Sequence, residues 1–318
     1  MTTVTRAPTR EVRTATMDSR RWDNFPARED DIVVATYPKC GTTWTQRIVD
    51  LLVFQSPEPR EFGAASPWLD ATFFAPHAVN LSTLEAQTHR RCIKSHLPFD
   101  ALPVFESVKY IHTARDGRDA CLSMHNHQLG FLPEARSRIA EQTPEGGAAA
   151  AVTHPTPTDP RAFFLQWMDT AEGGLAPGDT DLPFCEFEQT YWRHRADPNV
   201  LHVHYADLKA DLEGEMARIS DFLGIDTPNA VMPKLVQAAR FETMKRQGEQ
   251  LLPQLRMAFD NGSQRFLDQG RNGRWKGVLT EADLARYDAL VRSRLSEAHS
   301  AWIHNGRLIA GDPAGLPD

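Results

Sequence analysis

Three short segments of this chain combine cationic, imidazole and hydroxyl side chains in patterns suited to handling an anion. The first reads Thr36-Tyr37-Pro38-Lys39-Cys40-Gly41-Thr42-Thr43-Trp44 and follows the apolar run Ile32-Val33-Val34-Ala35. Strand, tight loop and helix start succeed one another there, and such a junction aims unbonded backbone N–H groups and the positive end of the helix dipole at one point. It is a cradle for phosphate or sulfate. The nucleotide-triphosphate loop G-x-x-x-x-G-K-[ST] sets its Lys after the second Gly, whereas Lys39 precedes Gly41, so a different anion-transfer chemistry is indicated. The second segment, Lys94-Ser95-His96-Leu97-Pro98, ends a predicted strand, where open α/β sheets hold their ligands. Lys94 and His96 are two residues apart and point the same way on an extended chain. Histidine, with an ordinary pKa near 6.5, is mostly neutral at pH 7 and able to take a proton. The third segment runs from Arg115-Asp116-Gly117-Arg118-Asp119 to Ser123-Met124, after another apolar strand and into a helix. Asp116 reads as the helix N-cap and Arg118 as a solvated charge; Arg115 offers a fork suited to phosphate, and Ser123, about two helical turns on, adds a hydroxyl.

The elements that must position these groups alternate strand and helix, the pattern of a parallel sheet with crossover helices. Short apolar runs predict strands over Asp31–Thr36, Arg91–Ser95, Val108–Ala114 and Val200–Tyr205. Helices are predicted over Thr43–Phe54, Gly117–His127, Arg161–Trp167 and Leu212–Leu223, the last stopped by Gly224. Phe131 to Pro160, with its Gly-Gly-Ala run and several prolines, has no clear period and reads as a mobile lid or insertion. Arg240–Gln254 and Phe266–Thr280 read as polar loops closing over a ligand. With 318 residues the chain suits one α/β domain over residues 22–318, preceded by a frayed arm at residues 1–21. That arm lacks the apolar centre of a secretory signal, no run is long enough to span a membrane, and a cytoplasmic protein is expected. A net charge of −7 gives no general attraction to nucleic acid. Cys40, Cys92, Cys121 and Cys185 are scattered, forming neither a disulfide framework nor a metal-binding pair.

Taken together, the segments resemble the cytosolic-type sulfotransferases that use 3'-phosphoadenosine 5'-phosphosulfate (PAPS), in a bacterial form. The first is similar to the family's 5'-phosphosulfate loop T-Y-P-K-S-G-T-T-W, with Cys40 in place of Ser. The second resembles K-x-H-L-P, and the third resembles the 3'-phosphate site R-[ND]-x-x-D-x-x-x-S. His204-Tyr205-Ala206-Asp207-Leu208-Lys209 resembles the family segment whose Tyr lies beside the adenine. Arg240-Phe241-Glu242-Thr243-Met244-Lys245 resembles the stretch whose Phe and Met flank the base. Asp268-Gln269-Gly270-Arg271-Asn272-Gly273-Arg274-Trp275 keeps the glycines and Trp of R-K-G-x-x-G-x-W but not its Arg-Lys pair, which leaves Arg271, Arg274 or Arg265 to supply the charge. The resemblance implies a P-loop NTPase-like α/β fold and sulfuryl transfer from PAPS to a hydroxyl, leaving adenosine 3',5'-bisphosphate (PAP). It further implies His96 as general base and Lys39 and Lys94 as cations at the transferring group. Lys39, Cys40, Gly41, Thr42, Thr43, Trp44, Arg115, Ser123, Tyr205, Phe241, Met244, Gln269, Gly270 and Arg271 would bind the nucleotide. No metal is expected, since a sulfuryl group carries less negative charge than a phosphoryl group and lysines suffice.

Two other classes stand beside this reading: a non-catalytic PAP-binding homologue, to which Asp268-Gln269 points, and a small-molecule kinase, against which the position of Lys39 counts. The acceptor is expected to be a small apolar hydroxyl compound, a phenol, alcohol or lipid. Trp68, Phe73, Phe74, Phe131 and Phe259, from three variable loops, are its candidate contacts. The family's dimer motif K-x-x-x-T-V-x-x-x-E is half present at Lys276 and Thr280, with Glu281 and Ala285 in place of Val and Glu, so the family-type dimer is not expected.

Overall fold

A computed structural model of the chain describes residues 2–14, 16–73, 75–141, 156–171 and 182–318. Four parallel strands form its centre: β2 (Ile32–Ala35), β3 (Cys92–Ser95), β5 (Lys109–Ala114) and β6 (Val200–His204), in the spatial order β3-β2-β5-β6. Ile32 pairs with Cys92 on one side and Lys109 on the other, and Tyr110 pairs with Val200. The strand alternation sends Ile32, Val34, Ile111 and Val203 into one apolar cluster, while Val33, Ala35, Ile93 and Tyr110 enter another on the opposite face. Helices Thr42–Phe54 and Leu212–Leu223 cover the first face. Helices Gly117–Gly130, Pro160–Ala171, Phe184–Trp192 and Glu297–Asn305 contribute to the second. A sheet covered on both faces requires strands that are apolar on both sides, which is why all four residues of β2 are buried. The chain therefore has the α/β architecture with a central parallel sheet expected from its sequence.

Local chemistry fixes the helix ends nearest the ligand-binding edge. Asp116 caps helix 117–130 by accepting from the Arg118 N–H, and Asp211 caps helix 212–223, which ends on Gly224 at φ 64°. Three expectations are corrected. Residues 2–21 are not a frayed arm: β1 (Val4–Arg6) pairs antiparallel with β4 (Val104–Phe105), the Thr9 N–H donates to the Asp100 carbonyl, and Val12 and Met17 are buried. Backbone bonds and an Arg10–Asp100 ion pair at 3.0 Å hold this polar segment, and neither leaves a hydrophobic pattern in sequence. Residues 240–254 contain short helices at Phe241–Arg246 and Gly248–Leu251 that bury Met244 and Leu251. Within the expected lid, Pro133–Glu141 is helical, and residues 142–155 lie outside the described residues.

Behind the sheet lies a group of histidines whose titration shapes stability. Burial holds His202 well below its ordinary pKa and lowers His204 to about 4 and His299 to about 3. Each stays neutral in the fold but protonates near pH 6.5 when unfolded, so below that pH the unfolded chain binds more protons and stability falls as pH falls. Each such site contributes a loss approaching about 1.4 kcal/mol per pH unit. Buried Asp50 and Asp119, raised by desolvation, act in the opposite sense as they take up protons at lower pH. Urea midpoints should therefore drop markedly between pH 7.5 and pH 5.5; equal midpoints would contradict burial of these rings in their neutral form.

Candidate functional site

The anion loop is shaped by two left-handed residues, Lys39 at φ 69° and Gly41 at φ 113°. Gly41 tolerates that conformation, and it also lets the loop pass close to Tyr205, whose ring would lie 3.1 Å from any added Cβ. Helix 42–54 starts immediately after it, so its first N–H groups face the loop. Threonine hydroxyls fasten the junction: Thr36 Oγ1 to Thr42 Oγ1 at 2.5 Å, and Thr45 Oγ1 to Thr113 Oγ1 at 2.7 Å. Trp44 donates from Nε1 to the Ala239 carbonyl at 2.7 Å and meets Tyr205 edge-on at 5.3 Å. Cys40 is fully buried in the core beneath the loop, and burial pushes its thiol well above its ordinary pKa. Cys40 accordingly lines no part of the cavity described below.

The carboxyl end of β3 leads into His96. His96 shares a hydrogen bond of 2.8 Å between its Nδ1 and the Thr36 carbonyl, which can only accept, so Nδ1 carries the proton and the Nε2 lone pair remains. Desolvation first, then the charges of Lys94 and Lys39, hold His96 well below its ordinary pKa. It is a neutral imidazole at pH 7. Trp68 packs edge-on against it at 4.9 Å and carries the Lys94 ammonium 3.9 Å from its own ring centre. Lys39 Nζ lies 4.3 Å over the Phe266 ring and 3.4 Å from Nδ1 of His127. His127, also held neutral by burial and by Lys39, was not singled out in the sequence. One signal was present: it falls four residues after Ser123, on the same face of helix 117–130.

The opposite wall is built from β5, helix 117–130 and the 268–275 loop. Arg115 donates to the Arg271 carbonyl at 2.7 Å and to the Lys39 carbonyl at 3.3 Å, and its guanidinium lies 4.1 Å from the Tyr205 ring centre. Its buried Nε has no hydrogen-bond partner among the described residues. Both Asp119 oxygens accept from the loop, from the Gly273 and Arg274 N–H groups at 2.8 Å each. Gly270, at φ 59°, lies against Phe241: an added Cβ would come within 2.4 Å of that ring. Arg274, paired with Asp268 at 3.0 Å, lines the cavity. Arg271 does not. It is exposed and donates to the Gln269 side chain at 2.6 Å, because the loop turns its side chain outward while offering its carbonyl inward.

These groups surround a single cavity of about 440 Å³. Lys39, Gly41, Thr42, Thr43, Trp44, Arg115, Ser123, Tyr205, Phe241, Met244, Gln269 and Gly270 line it, together with Lys94 and His96. Trp68, Phe73, Phe131, Phe259 and Phe266 line it as well; Phe74 lies outside the described residues. Cationic groups, a neutral imidazole and aromatic rings thus share one cavity.

An anion cradle at the carboxyl edge of a parallel sheet, beside a neutral base, defines a group-transfer enzyme acting on an anionic donor. Residues 29–299 match the model of the sulfotransferase domain family. Over 320 residues the chain is 35% identical to a glycolipid sulfotransferase of Mycobacterium bovis, covering 93% of this chain and 94% of that one. It is 28% identical over 286 residues to cytosolic sulfotransferase 1 of Danio rerio, covering 86% of each. In fold it is similar to a retinol dehydratase in complex with androsterone and the inactive cofactor PAP, with a TM-score of 0.67 at 23% identity over 88% of this chain and 84% of that one. It is also similar to mouse sulfotransferase SULT7A1 complexed with PAP, with a TM-score of 0.61 at 21% identity over 87% of each. The chain belongs to the sulfotransferase family and is a PAPS-dependent sulfotransferase. No helix among the described residues is long and apolar enough to cross a membrane.

Gly270 offers a direct check on the cavity wall it forms with Phe241. Gly270→Ala forces a Cβ into the Phe241 ring at a left-handed position, a strain of roughly 1–3 kcal/mol. PAP affinity, measured by calorimetry, should fall about tenfold or more while circular dichroism stays unchanged. Unchanged affinity would remove the Phe241–Gly270 contact from the nucleotide site.

Proposed function

We propose that this chain transfers the sulfuryl group of PAPS to the hydroxyl of an apolar, lipid-like acceptor, with His96 as general base. The observation carrying this reading is that the neutral His96 lines the same cavity as the anion loop, Lys39, Lys94 and the aromatic side chains. The residues present suit the nucleotide. The loop and helix start present N–H groups, Arg115 keeps a buried Nε without a partner among the described residues, and Phe241, seated against Gly270, lines the cavity with Met244 and offers a planar face to the base.

His96 Nε2 takes the proton of the acceptor hydroxyl as the oxygen attacks sulfur. The Thr36 carbonyl keeps Nδ1 protonated and so fixes the tautomer. Lys39 and Lys94 stabilise negative charge on the sulfuryl and departing phosphate oxygens, a role usually worth about a hundredfold or more in rate. Arg115 and Ser123 bind the 3'-phosphate. Arg274 supplies the charge missing at Asp268-Gln269: it lines the cavity near Arg115, and Asp268, which lines the cavity too, is held in an ion pair with it. The aromatic side chains suit an alkyl chain or fused rings, and the glycolipid sulfotransferase similarity favours a lipid acceptor.

Sulfuryl transfer from PAPS should be assayed over phenols, aliphatic alcohols, free sugars and glycolipids. Activity is expected with apolar alcohols and glycolipids. Activity confined to charged or free sugars would overturn the acceptor reading. His96→Ala should abolish transfer yet keep PAP affinity within about twofold, because the base acts on the acceptor; near wild-type turnover would require another base. Arg274→Ala should weaken PAP selectively over adenosine 5'-phosphate, whereas Arg271→Ala should not. Equal losses for both nucleotides would remove Arg274 from the 3'-phosphate site.

A further inference from the structure

Asp70 is a fully buried carboxylate that lines no part of the cavity, yet it gathers donors from three segments that build it. Its oxygens accept from the indole N–H groups of Trp22, at 3.0 Å, and Trp68. They also accept from the Ser95 hydroxyl and the His96 backbone N–H. Ser95 in turn accepts from the Leu97 N–H at 3.0 Å, so the turn after β3 is bonded at three consecutive residues. The Trp68 backbone is fixed as well: residue 68 bridges Lys94 in parallel, Lys94 N–H donates to the Pro67 carbonyl at 2.9 Å, and Asn80 donates to the Trp68 carbonyl at 2.9 Å. Backbone bridge and carboxylate together leave the indole one orientation, with its face under Lys94 and against the His96 ring.

We propose that Asp70 is the positioning residue of the catalytic pair: by holding the Trp68 indole and the His96 main chain at once, it sets the distance and angle between Lys94 and His96. A buried carboxylate is costly to desolvate, and the four neutral donors around Asp70 offset that cost, whereas an apolar residue would leave all four unsatisfied. What the carboxylate adds is two acceptor oxygens at fixed positions, one for each indole. Loss of one bond would let Trp68 turn, and both the ammonium above it and the imidazole beside it would lose their packing surface. Misplacement of about 1 Å in such a pair is enough for a rate loss of roughly a hundredfold.

This inference rests on the assignment of His96 and Lys94 to the transfer step, and its test separates the two. Asp70→Asn keeps the volume but offers one acceptor oxygen, so Trp22 and Trp68 cannot both be bonded. Transfer from PAPS to 2-naphthol and to the best acceptor of the panel should lose roughly ten- to a hundredfold in kcat, with PAP affinity within about twofold of wild type. Asp70→Glu, which restores both oxygens, should recover part of the loss. In 15N-labelled protein the indole N–H resonance of Trp68 should shift and broaden in Asp70→Asn, a readout needing no acceptor. Wild-type kcat in Asp70→Asn alongside an inactive His96→Ala would overturn the positioning role and leave the base in place. An active His96→Ala would overturn the base itself. A Trp68 indole signal unmoved in Asp70→Asn would overturn the proposal whichever acceptor is used.

Discussion

The hydrogen bond between His96 Nδ1 and the Thr36 carbonyl joins the two halves of this enzyme. Thr36 directly follows β2 at the entry to the anion loop, and its hydroxyl also bonds Thr42 at the first turn of the following helix. One residue therefore holds both the helix terminus and the imidazole to which the proposed mechanism assigns donor and acceptor. Parallel pairing of β2 with β3, Ala35 opposite Ser95, brings the two segments side by side at the same sheet edge. Without that register the loop and the base would be correct in sequence and separated in space.

Neutrality of His96 is the second constraint. Two ammonium groups stand near it, and burial alone already disfavours the imidazolium. Aromatic faces carry the cations. Lys94 lies over Trp68, Lys39 over Phe266, and the Arg115 guanidinium over Tyr205. The same rings border the cavity, so the surfaces that position the cations also shape the space around the ligands.

Much of this was legible in sequence where function is written in consecutive residues. The strand-loop-helix at 32–54, the Lys94-Ser95-His96 turn and the Arg115 helix start each carry their chemistry within a few positions, and the short apolar strands bounded them. What could not be read depends on partners far along the chain. Residues 2–21 are polar by pattern but are held by main-chain bonds to segments near residue 100. Asp70 looks like an ordinary loop acid until Trp22 and His96 fold onto it. The choice between Arg271 and Arg274 turns on a glycine-rich loop whose left-handed residues decide which side chain faces inward, and residue types alone do not reveal that.

The most direct measurement is the protonation and tautomer of His96 in 15N-histidine-labelled, ligand-free protein, assigned by its loss in His96→Ala. The structure predicts a neutral ring with the proton on Nδ1, unchanged from pH 7.5 to well below pH 6.5. A ring that titrates at or above pH 6.5, or that carries its proton on Nε2, would contradict the arrangement of base, loop and lysines on which the account depends.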